Sequence, residues 1–305
     1  MENDNHSKSK SGFVAILGKP NVGKSSLLNA LLNQKVAAVT PRPQTTRKNQ
    51  LGILTTTFDG DSVQIIFIDT PGIHRPRYKL GEYMLEQASK SLQGCDEILF
   101  LVDGSLPPTD EDHQLADLIV AAKRKIPGLL VINKIDLCDA EALPNHIAQY
   151  SEIAPTMDVI TISATRRDNL DLLMKKLVEN LPESPPYFPE DQVTDLYERD
   201  LVADIIRETA LILLRDEVPH GIAVRIDQFT ERGEHGAYIE VTLFVEKESH
   251  KAIVIGRNGS MLKQIGSEAR KEIEAMSGRK VFLKIRVKVR KNWRNDERFL
   301  RNFGY

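Results

Sequence analysis

A phosphate-binding pattern lies near the start of the chain. Residues 18–25 read G-x-x-x-x-G-K-S, between an apolar, strand-like run and a run with helical character. In that context, backbone N–H groups and the positive end of a helix dipole can surround an anion. The ammonium group of Lys24 would reach the β- and γ-phosphates, and the Ser25 hydroxyl would ligate Mg²⁺. The residues expected to contact the nucleotide here are Gly18, Lys19, Pro20, Asn21, Val22, Gly23, Lys24, Ser25 and Ser26.

The base is specified further along the chain. The segment Asn133-Lys134-Ile135-Asp136 follows a second buried-strand pattern. The Asp136 carboxylate can accept two hydrogen bonds from guanine, whereas adenine would leave that carboxylate unpaired. We expect Asn133 to tie the base pocket to the phosphate loop and the Lys134 stem to stack on the base. The backbone amides expected to meet the guanine oxygen belong to Ser163, Ala164 and Thr165. An adenine-nucleotide site is the alternative, and it leaves Asp136 without a role.

Two further segments have residue types that are expected to contact the γ-phosphate and its metal ion. Asp69, Thr70, Pro71 and Gly72 follow an apolar strand pattern, and Gly72 can offer its N–H where a side chain would crowd the phosphate. The polar, proline-containing loop at 41–47 can close over the nucleotide, with Thr46 favoured over Thr45 as its metal ligand. The expected metal ligands are Ser25, Thr46 and Asp69, and the expected catalytic residues are Asn21, Lys24, Thr46 and Gly72.

Length and composition indicate an ordinary globular protein of about two domains. The chain has 305 residues, 41% of them hydrophobic and 28% charged, with no apolar stretch of the roughly 18 residues that span a bilayer. Two isolated cysteines indicate no disulfide or zinc site and suit a reducing cytoplasm. The proline-rich segment after residue 181 marks a boundary. We predict a disordered tail (1–11), a nucleotide domain (12–182), a semi-rigid linker (183–192) and a nucleic-acid domain (193–305).

The C-terminal third has a nucleic-acid pattern. Its predicted order is helix, strand, strand, short helix, Gly-x-x-Gly, helix, strand and helix. A net charge of −2 conceals a strongly basic run between Arg279 and Arg301. The residues expected to contact RNA are Ile255, Gly256, Arg257, Asn258, Gly259, Lys284, Arg286 and Lys288. Docking of the basic run on anionic lipid is the alternative, but Lys284 to Lys288 lie on a predicted strand and not on an amphipathic helix.

These motifs carry a family resemblance. Residues 12–182 resemble a translation-factor-class GTPase domain, and residues 12 to about 303 resemble the bacterial Era GTPases, with switch I on 44–47 and switch II on 69–72. The resemblance implies an α/β P-loop GTPase domain, with a mostly parallel sheet and helices on both faces, followed by an α+β type II KH domain. It also implies GTP hydrolysis with Mg²⁺ and binding of 16S rRNA near its 3′ end. Assembly of the 30S ribosomal subunit, a monomeric state, and a cytoplasmic location with peripheral membrane contact are further implications.

One departure concerns catalysis. Many small GTPases place a glutamine directly after the switch II glycine to orient the attacking water, but this chain has Ile73 there, followed by His74. Intrinsic hydrolysis is therefore expected to be slow unless another group substitutes. In related GTPases an asparagine at the position of Asn21 helps to hold K⁺, so we expect K⁺ to act as a second cofactor. A scaffold that binds GTP and scarcely hydrolyses it is the alternative function.

Overall fold

The computed structural model describes residues 9–40, 45–72, 78–122, 126–231 and 236–303. These residues form two compact units. The first takes the described residues of 1–37, 46–75 and 84–195, and the second takes those of 38–45, 76–83 and 196–305. The first unit contains two clusters of buried hydrophobic residues and the second contains one, among the described residues.

A six-stranded sheet lies at the centre of the first unit among its described residues. Its strands are β1 (Ser9–Leu17), β2 (Gln50–Phe58), β3 (Asp61–Asp69), β4 (Glu97–Asp103), β5 (Gly128–Asn133) and β6 (Asp158–Thr161). The spatial order is β2-β3-β1-β4-β5-β6, and only the β2–β3 pair is antiparallel. The mostly parallel sheet agrees with the fold that the motifs predicted.

Helices cover both faces of this sheet. They are α1 (Lys24–Leu32), α2 (Lys79–Gly94), α3 (Asp110–Val120), α4 (Leu143–Ile153) and α5 (Leu170–Asn180). Successive side chains of β1 point to opposite faces, so Val14 packs with Leu27 in one core, while Ala15 packs with Leu115 in the other. Strands buried on both faces read as continuous apolar runs, which is why the central strands were visible in the sequence. No helix in the described part of the chain has the length and apolar character needed to cross a membrane.

The parallel strands bring their final residues to one edge of the sheet. Leu17, Asp69, Asp103, Asn133 and Thr161 end β1, β3, β4, β5 and β6, respectively. Open α/β sheets bind ligands at this carboxyl edge. The motifs predicted from the sequence therefore converge on one place although they are far apart along the chain.

The N-terminal boundary differs from the prediction. Residues 9–11, assigned above to a disordered tail, belong to β1 and pair with β3, Ser9 lying opposite Ser62. Lys10 also donates from its ammonium group to the Val178 carbonyl at 2.7 Å. Partners on both sides hold this polar segment in the sheet even though its composition resembles that of the tail.

The predicted linker packs along the first unit. The Ser184 N–H donates to the Ser9 carbonyl at 3.0 Å, and the Gln64 carboxamide oxygen accepts from the N–H groups of Tyr187 and Phe188 at 2.7 and 2.9 Å. The Ile53 N–H donates to the Val193 carbonyl at 2.9 Å. The first unit consequently continues to Asp195, beyond the predicted end of the linker at residue 192.

The second unit has the order of elements that the sequence predicted. They are α6 (Glu198–Leu213), β7 (Ala223–Glu231), β8 (Ala237–Val245), α7 (Glu248–Ile255), α8 (Ser260–Ser277), β9 (Val281–Val289) and α9 (Glu297–Asn302). Strand β8 is antiparallel to β7 and parallel to β9. Helices α6 and α8 pack on one face of this sheet through residues such as Ile206 and Ile265.

One buried acidic residue lies at the start of β4, at the opposite end of that strand from the carboxyl edge of the first sheet. Glu97, the first residue of β4, is fully buried. One of its oxygens accepts a hydrogen bond from the Asn180 amide at 2.8 Å, and the other has no hydrogen-bond partner among the described residues. Burial raises the pKa of Glu97 to about 7, and the Asn180 hydrogen bond opposes that rise.

The raised pKa of Glu97 predicts a pH-dependent stability. Between the ordinary pKa of 4.5 and about 7 the folded chain holds a proton that the unfolded chain has lost, so stability falls as the pH rises through this window. Glu97→Gln keeps an acceptor for Asn180 and removes the titration. Between pH 5 and pH 8 we expect the variant to gain on the order of 2 kcal/mol relative to the parent protein.

Denaturant unfolding followed by circular dichroism at several pH values measures this difference. The matched control is Glu141→Gln, because Glu141 is exposed and should give no such gain. Parallel pH profiles for the parent protein and Glu97→Gln would contradict a buried titration at this site.

Candidate nucleotide site and nucleic-acid groove

The phosphate loop wraps around its own lysine. Lys24 is the first residue of α1, and its ammonium group donates to the carbonyls of Gly18 and Lys19 at 2.9 and 3.0 Å. Burial lowers the pKa of Lys24 to about 8, although the charge of Asp69 opposes this shift. The cation therefore lies inside the loop, beside the start of a helix whose dipole also favours an anion.

Two glycines permit close approaches at this loop. Gly23 has a φ of +104°, and a Cβ on it would lie 2.3 Å from the side-chain nitrogen of Asn133. A Cβ on Gly72 would lie 2.8 Å from the backbone N and Cα of Pro20. Because Gly72 has no side chain, the backbone of residues 69–72 can contact the phosphate loop. Because Gly23 has none, the Asn133 amide can lie against that loop.

Three side-chain oxygens converge beside Lys24. The Ser25 hydroxyl donates to Asp69 Oδ2 at 2.9 Å, Thr46 Oγ1 donates to the same atom at 3.1 Å, and the two hydroxyl oxygens lie 3.0 Å apart. The other oxygen of Asp69, Oδ1, is buried with no hydrogen-bond partner among the described residues. Thr45 turns elsewhere, with its Oγ1 within 2.8 Å of Thr40 Oγ1.

This donor set fits Mg²⁺, which prefers hydroxyl, carboxylate and water oxygens. Burial raises the pKa of the Asp69 carboxyl, while the charge of Lys24 and hydrogen bonds from Ser25 and Thr46 oppose the rise. A divalent cation would stabilise the ionised carboxylate and satisfy its unpaired oxygen. The structure thus brings together the three residues that the sequence predicted as metal ligands.

The base-recognition segments meet through one amide side chain. Asn133 donates from Nδ2 to the Val22 carbonyl at 2.8 Å and accepts at Oδ1 from the Ala164 N–H at 3.0 Å. Asp136 accepts from the Ser163 hydroxyl at 2.6 Å, which orients its carboxylate. The predicted link between the base pocket and the phosphate loop is therefore present in the structure.

Lys134 has an acidic partner that the motifs did not single out. Its ammonium group donates to Asp103 at 2.6 Å. Burial acts to raise the pKa of Asp103, but hydrogen bonds from Lys134 and Ser105, together with the Lys134 charge, hold that pKa below its ordinary value. Asp103 ends β4 at the carboxyl edge of the sheet, so the strand-end rule could have identified it.

The remaining predicted residues occupy several environments. Thr70 is buried and donates to the Ile16 carbonyl at 2.6 Å, whereas the Asn21 side chain is exposed. Pro71 is buried, Ser26 is half-buried in the first turn of α1, and Thr165 is exposed. The side chain of Lys19 points to Asp112, as described below. Gln44, Ile73 and His74 lie outside the described residues.

The second unit has a groove beside its Gly-x-x-Gly loop. Gly256 and Gly259 have φ values of +72° and +77°, and Gly259 immediately precedes α8. The groove runs between α8 and β9, with an apolar floor and cations on its helix side. Its lining residues are Gly259, Leu262, Lys263, Gly266, Ser267, Arg270, Leu283 and Ile285. Apart from Gly259 the sequence prediction missed these residues, although those of α8 share one helical face.

The predicted RNA residues do not form a single surface. Lys284, Arg286 and Lys288 alternate along β9 with the groove residues Leu283 and Ile285, so they lie on the opposite face of the sheet. Lys284 and Arg286 are both ion-paired with Glu240. These three cations therefore lie apart from the groove, and their contact with RNA stays a prediction.

The position of Asp136 predicts the base preference. Asp136→Asn replaces a double acceptor with a side chain that also presents N–H donors, so binding of guanine nucleotides should weaken by about 100-fold. Binding of xanthine nucleotides, which present a carbonyl in place of the amino group, should strengthen. Competition of GDP and XDP against a fluorescent nucleotide measures both effects. The exposed Asp117→Asn on α3 is the control, and an unchanged GDP affinity in Asp136→Asn would exclude this carboxylate from base recognition.

Comparison with known proteins identifies families that agree with both sites. Residues 13–134 match the family described as 50S ribosome-binding GTPase, and residues 217–294 match the KH domain family. GTPase Era of Ruminiclostridium cellulolyticum is 44% identical over 97% of both chains. GTPase Era of Clostridium botulinum (strain Loch Maree / Type A3) is 46% identical over 97% of this chain and 98% of its own.

Solved structures give the same result. A crystal structure of Era in complex with MgGDPNP and nucleotides 1506–1542 of 16S ribosomal RNA matches with a TM-score of 0.91 and 41% identity, over 97% of this chain and 99% of that one. A variant of Aquifex aeolicus Era bound to GDP and AlF4⁻ matches with the same values. With a complete nucleotide site, a KH fold and full-length relatives above 40% identity, the chain belongs to the Era family of GTPases.

Proposed function

We propose that this GTPase binds 16S rRNA near its 3′ end through the groove between α8 and β9, and that it acts in assembly and maturation of the small ribosomal subunit. The observation that supports this most directly is the full-length similarity to an Era chain crystallised with nucleotides 1506–1542 of that RNA. Hydrolysis of GTP would then time the release of the RNA, because a switch works only where its states differ in affinity for a partner.

The groove has the chemistry that single-stranded RNA requires. N–H groups at the start of α8 and the two glycines leave room for a phosphate backbone beside the loop. Leu262, Leu283 and Ile285 provide an apolar floor on which bases can pack, with Lys263 and Arg270 beside it. KH domains clamp about four nucleotides in this manner. Arg257 and Asn258 are exposed at the loop and Ile255 is half-buried before it, so these residues would contact the same strand.

The cations on the other sheet face would serve a different stretch of RNA. Lys284 and Arg286 are about half exposed even though each contacts Glu240, and Lys288 is also exposed. Long basic side chains in this state can exchange an exposed ion pair for a phosphate at little cost, since such pairs contribute little stability. We therefore assign them to backbone contacts outside the groove.

The glycine loop gives a direct test of RNA binding. A Cβ on Gly259 would meet no atom within 4 Å, so Gly259→Asp has room for its side chain and places a negative charge where phosphates should pass. We expect binding of an RNA with the small-subunit 3′ sequence to weaken at least tenfold, with GDP affinity unchanged. Filter binding and nucleotide titration measure the two quantities.

The matched control for this test is Gly278→Asp. Gly278 follows the other end of α8, has a φ of +68° against +77° for Gly259, and a Cβ on it would likewise meet no atom within 4 Å. Both substitutions thus impose a similar backbone strain on the same helix. Equal loss of RNA binding in the two variants would remove the glycine loop from the proposal.

The nucleotide site supports residue roles for hydrolysis. Ser25, Thr46 and Asp69 would hold Mg²⁺, which supplies charge neutralisation at the β- and γ-phosphates when bound. Lys24 would exchange its two carbonyl partners for phosphate oxygens. The Gly72 N–H would donate to the γ-phosphate, since this backbone already lies against Pro20 of the phosphate loop. These roles rest on positioning and electrostatics, and none of them requires a covalent bond between the protein and the nucleotide.

We further assign Asn21 to a K⁺ site. Asn21 is exposed in a left-handed conformation, with φ +65°, at the turn of the phosphate loop. Asn21 therefore lies at the surface of the phosphate loop.

We also place the chain in the cytoplasm, as a monomer with peripheral contact to the cytoplasmic membrane. These three assignments follow only from what the family resemblance implies.

The K⁺ assignment predicts a salt-specific rate. Hydrolysis should be several-fold faster in KCl than in NaCl at equal ionic strength, because K⁺ would neutralise charge that develops in the transition state. Asn21→Ala should lose this difference and keep the rate that the parent protein has in NaCl. Phosphate release at saturating GTP measures both. Equal rates of the parent protein in the two salts would remove Asn21 from this role.

A further inference from the structure

The second residue of the phosphate loop forms a buried ion pair with a helix that has no assigned part in the reaction. The Lys19 ammonium group donates to Asp112 at 2.7 Å and to Thr109 Oγ1 at 3.2 Å. Relative side-chain exposure is 10% for Lys19 and 0% for Asp112, so water has almost no access to the pair. The Lys19 side chain is thereby directed to α3 and is not available to the nucleotide.

Asp112 is itself fixed by the start of its helix. Its carboxylate accepts from the Thr109 N–H at 2.9 Å and from the Thr109 hydroxyl at 2.7 Å, as the third residue of a capping box. These bonds and the bond to Lys19 all use the same oxygen, Oδ2, and the other oxygen is buried with no hydrogen-bond partner among the described residues. A buried carboxylate held in this way is a rigid anchor for a cation.

The segment that this pair holds contacts Lys24 and Gly72 through its backbone. The Lys19 carbonyl accepts from the Lys24 ammonium at 3.0 Å, so Lys19 contacts Lys24 directly through its backbone. The next residue, Pro20, lies against Gly72 so closely that no Cβ could be placed between them. A shift of Lys19 would therefore displace the backbone against which Gly72 rests.

We propose that Lys19, held by Asp112 and the capping box of α3, is a positioning residue for GTP hydrolysis. It sets the placement of the first half of the phosphate loop relative to Gly72, the proposed donor to the γ-phosphate, without contacting the nucleotide through its side chain. Small displacements at a reacting centre can reduce rates strongly, while binding energy spread over the whole nucleotide changes little. Loss of the pair should thus affect turnover more than affinity.

A double-mutant cycle on the full chain tests this assignment. The variants are Lys19→Met, Asp112→Asn and their combination, with Lys19→Arg as the conservative replacement. We expect each of the first two to lower the single-turnover rate of phosphate release about tenfold, with GTP affinity changed less than about twofold. The rate of the combined variant should lie within about twofold of the rate of the slower single variant. Lys19→Arg should keep most of the parent rate.

A surface ion pair provides the matched control. Lys90→Met breaks the exposed pair between Lys90 and Glu86 on α2 and should leave the rate unchanged. Removal of one member of a buried pair leaves an unpaired charge and can destabilise the chain, so GDP binding and circular dichroism should accompany each rate. If Lys19→Met does not fold, Thr109→Ala weakens the same cluster more mildly and should reduce the rate about two- to threefold.

The outcomes separate positioning from its alternatives. A parent-like rate in a folded Lys19→Met, or in Thr109→Ala where that replaces it, would show that the pair serves stability alone and would overturn the proposal. A loss confined to GTP affinity would show that the Lys19 side chain acts on the nucleotide and would also overturn it. Rate losses that multiply in the combined variant would mean that the two residues act independently, which is equally contrary to the assignment.

Discussion

The nucleotide site depends on the carboxamide of Asn133. This side chain joins Val22 in the phosphate loop to Ala164 in the loop after β6, and it does so at 2.8 and 3.0 Å from a buried position. The glycine at position 23 is required beneath it, because any Cβ there would collide with its amide nitrogen. One side chain therefore fixes the distance between the place where a triphosphate lies and the place where a base lies. A guanine nucleotide that binds as proposed would fill both places at once.

The cations of the nucleotide site have hydrogen-bond partners within the protein. The ammonium of Lys24 uses backbone carbonyls, and that of Lys134 uses Asp103. Burial of such groups is costly unless they are hydrogen-bonded, and these interactions hold the side chains close to the positions that they need. A side chain that is held in this way loses less conformational freedom when it contacts a ligand.

How well the sequence predicted each interaction depends on how far apart along the chain the two residues lie. The phosphate loop, the Asn133 segment and Asp69 were predictable because each motif is local and follows a buried strand, and parallel strands deliver their ends to one edge. The bond of Lys19 to Asp112 joins residues 93 positions apart, and no pattern around either residue indicates the other. The groove floor was missed because Leu283 and Ile285 read as ordinary core positions. Alternation along β9 also separates the basic residues from the glycine loop, which a count of charges does not reveal.

The segment after α5 has a consequence for the exposed rim of the first sheet. Strand β2 is the outermost strand on its side, and its outward N–H groups at Leu51 and Ile53 are bonded to Asp195 and Val193. An uncovered rim would offer these groups to any passing extended chain, which is how sheet proteins begin to aggregate. The residues that follow the proline-rich stretch thus shield this edge of the GTPase unit from self-association. A shortened protein that stops at residue 182 would keep every nucleotide-binding motif but lose this protection.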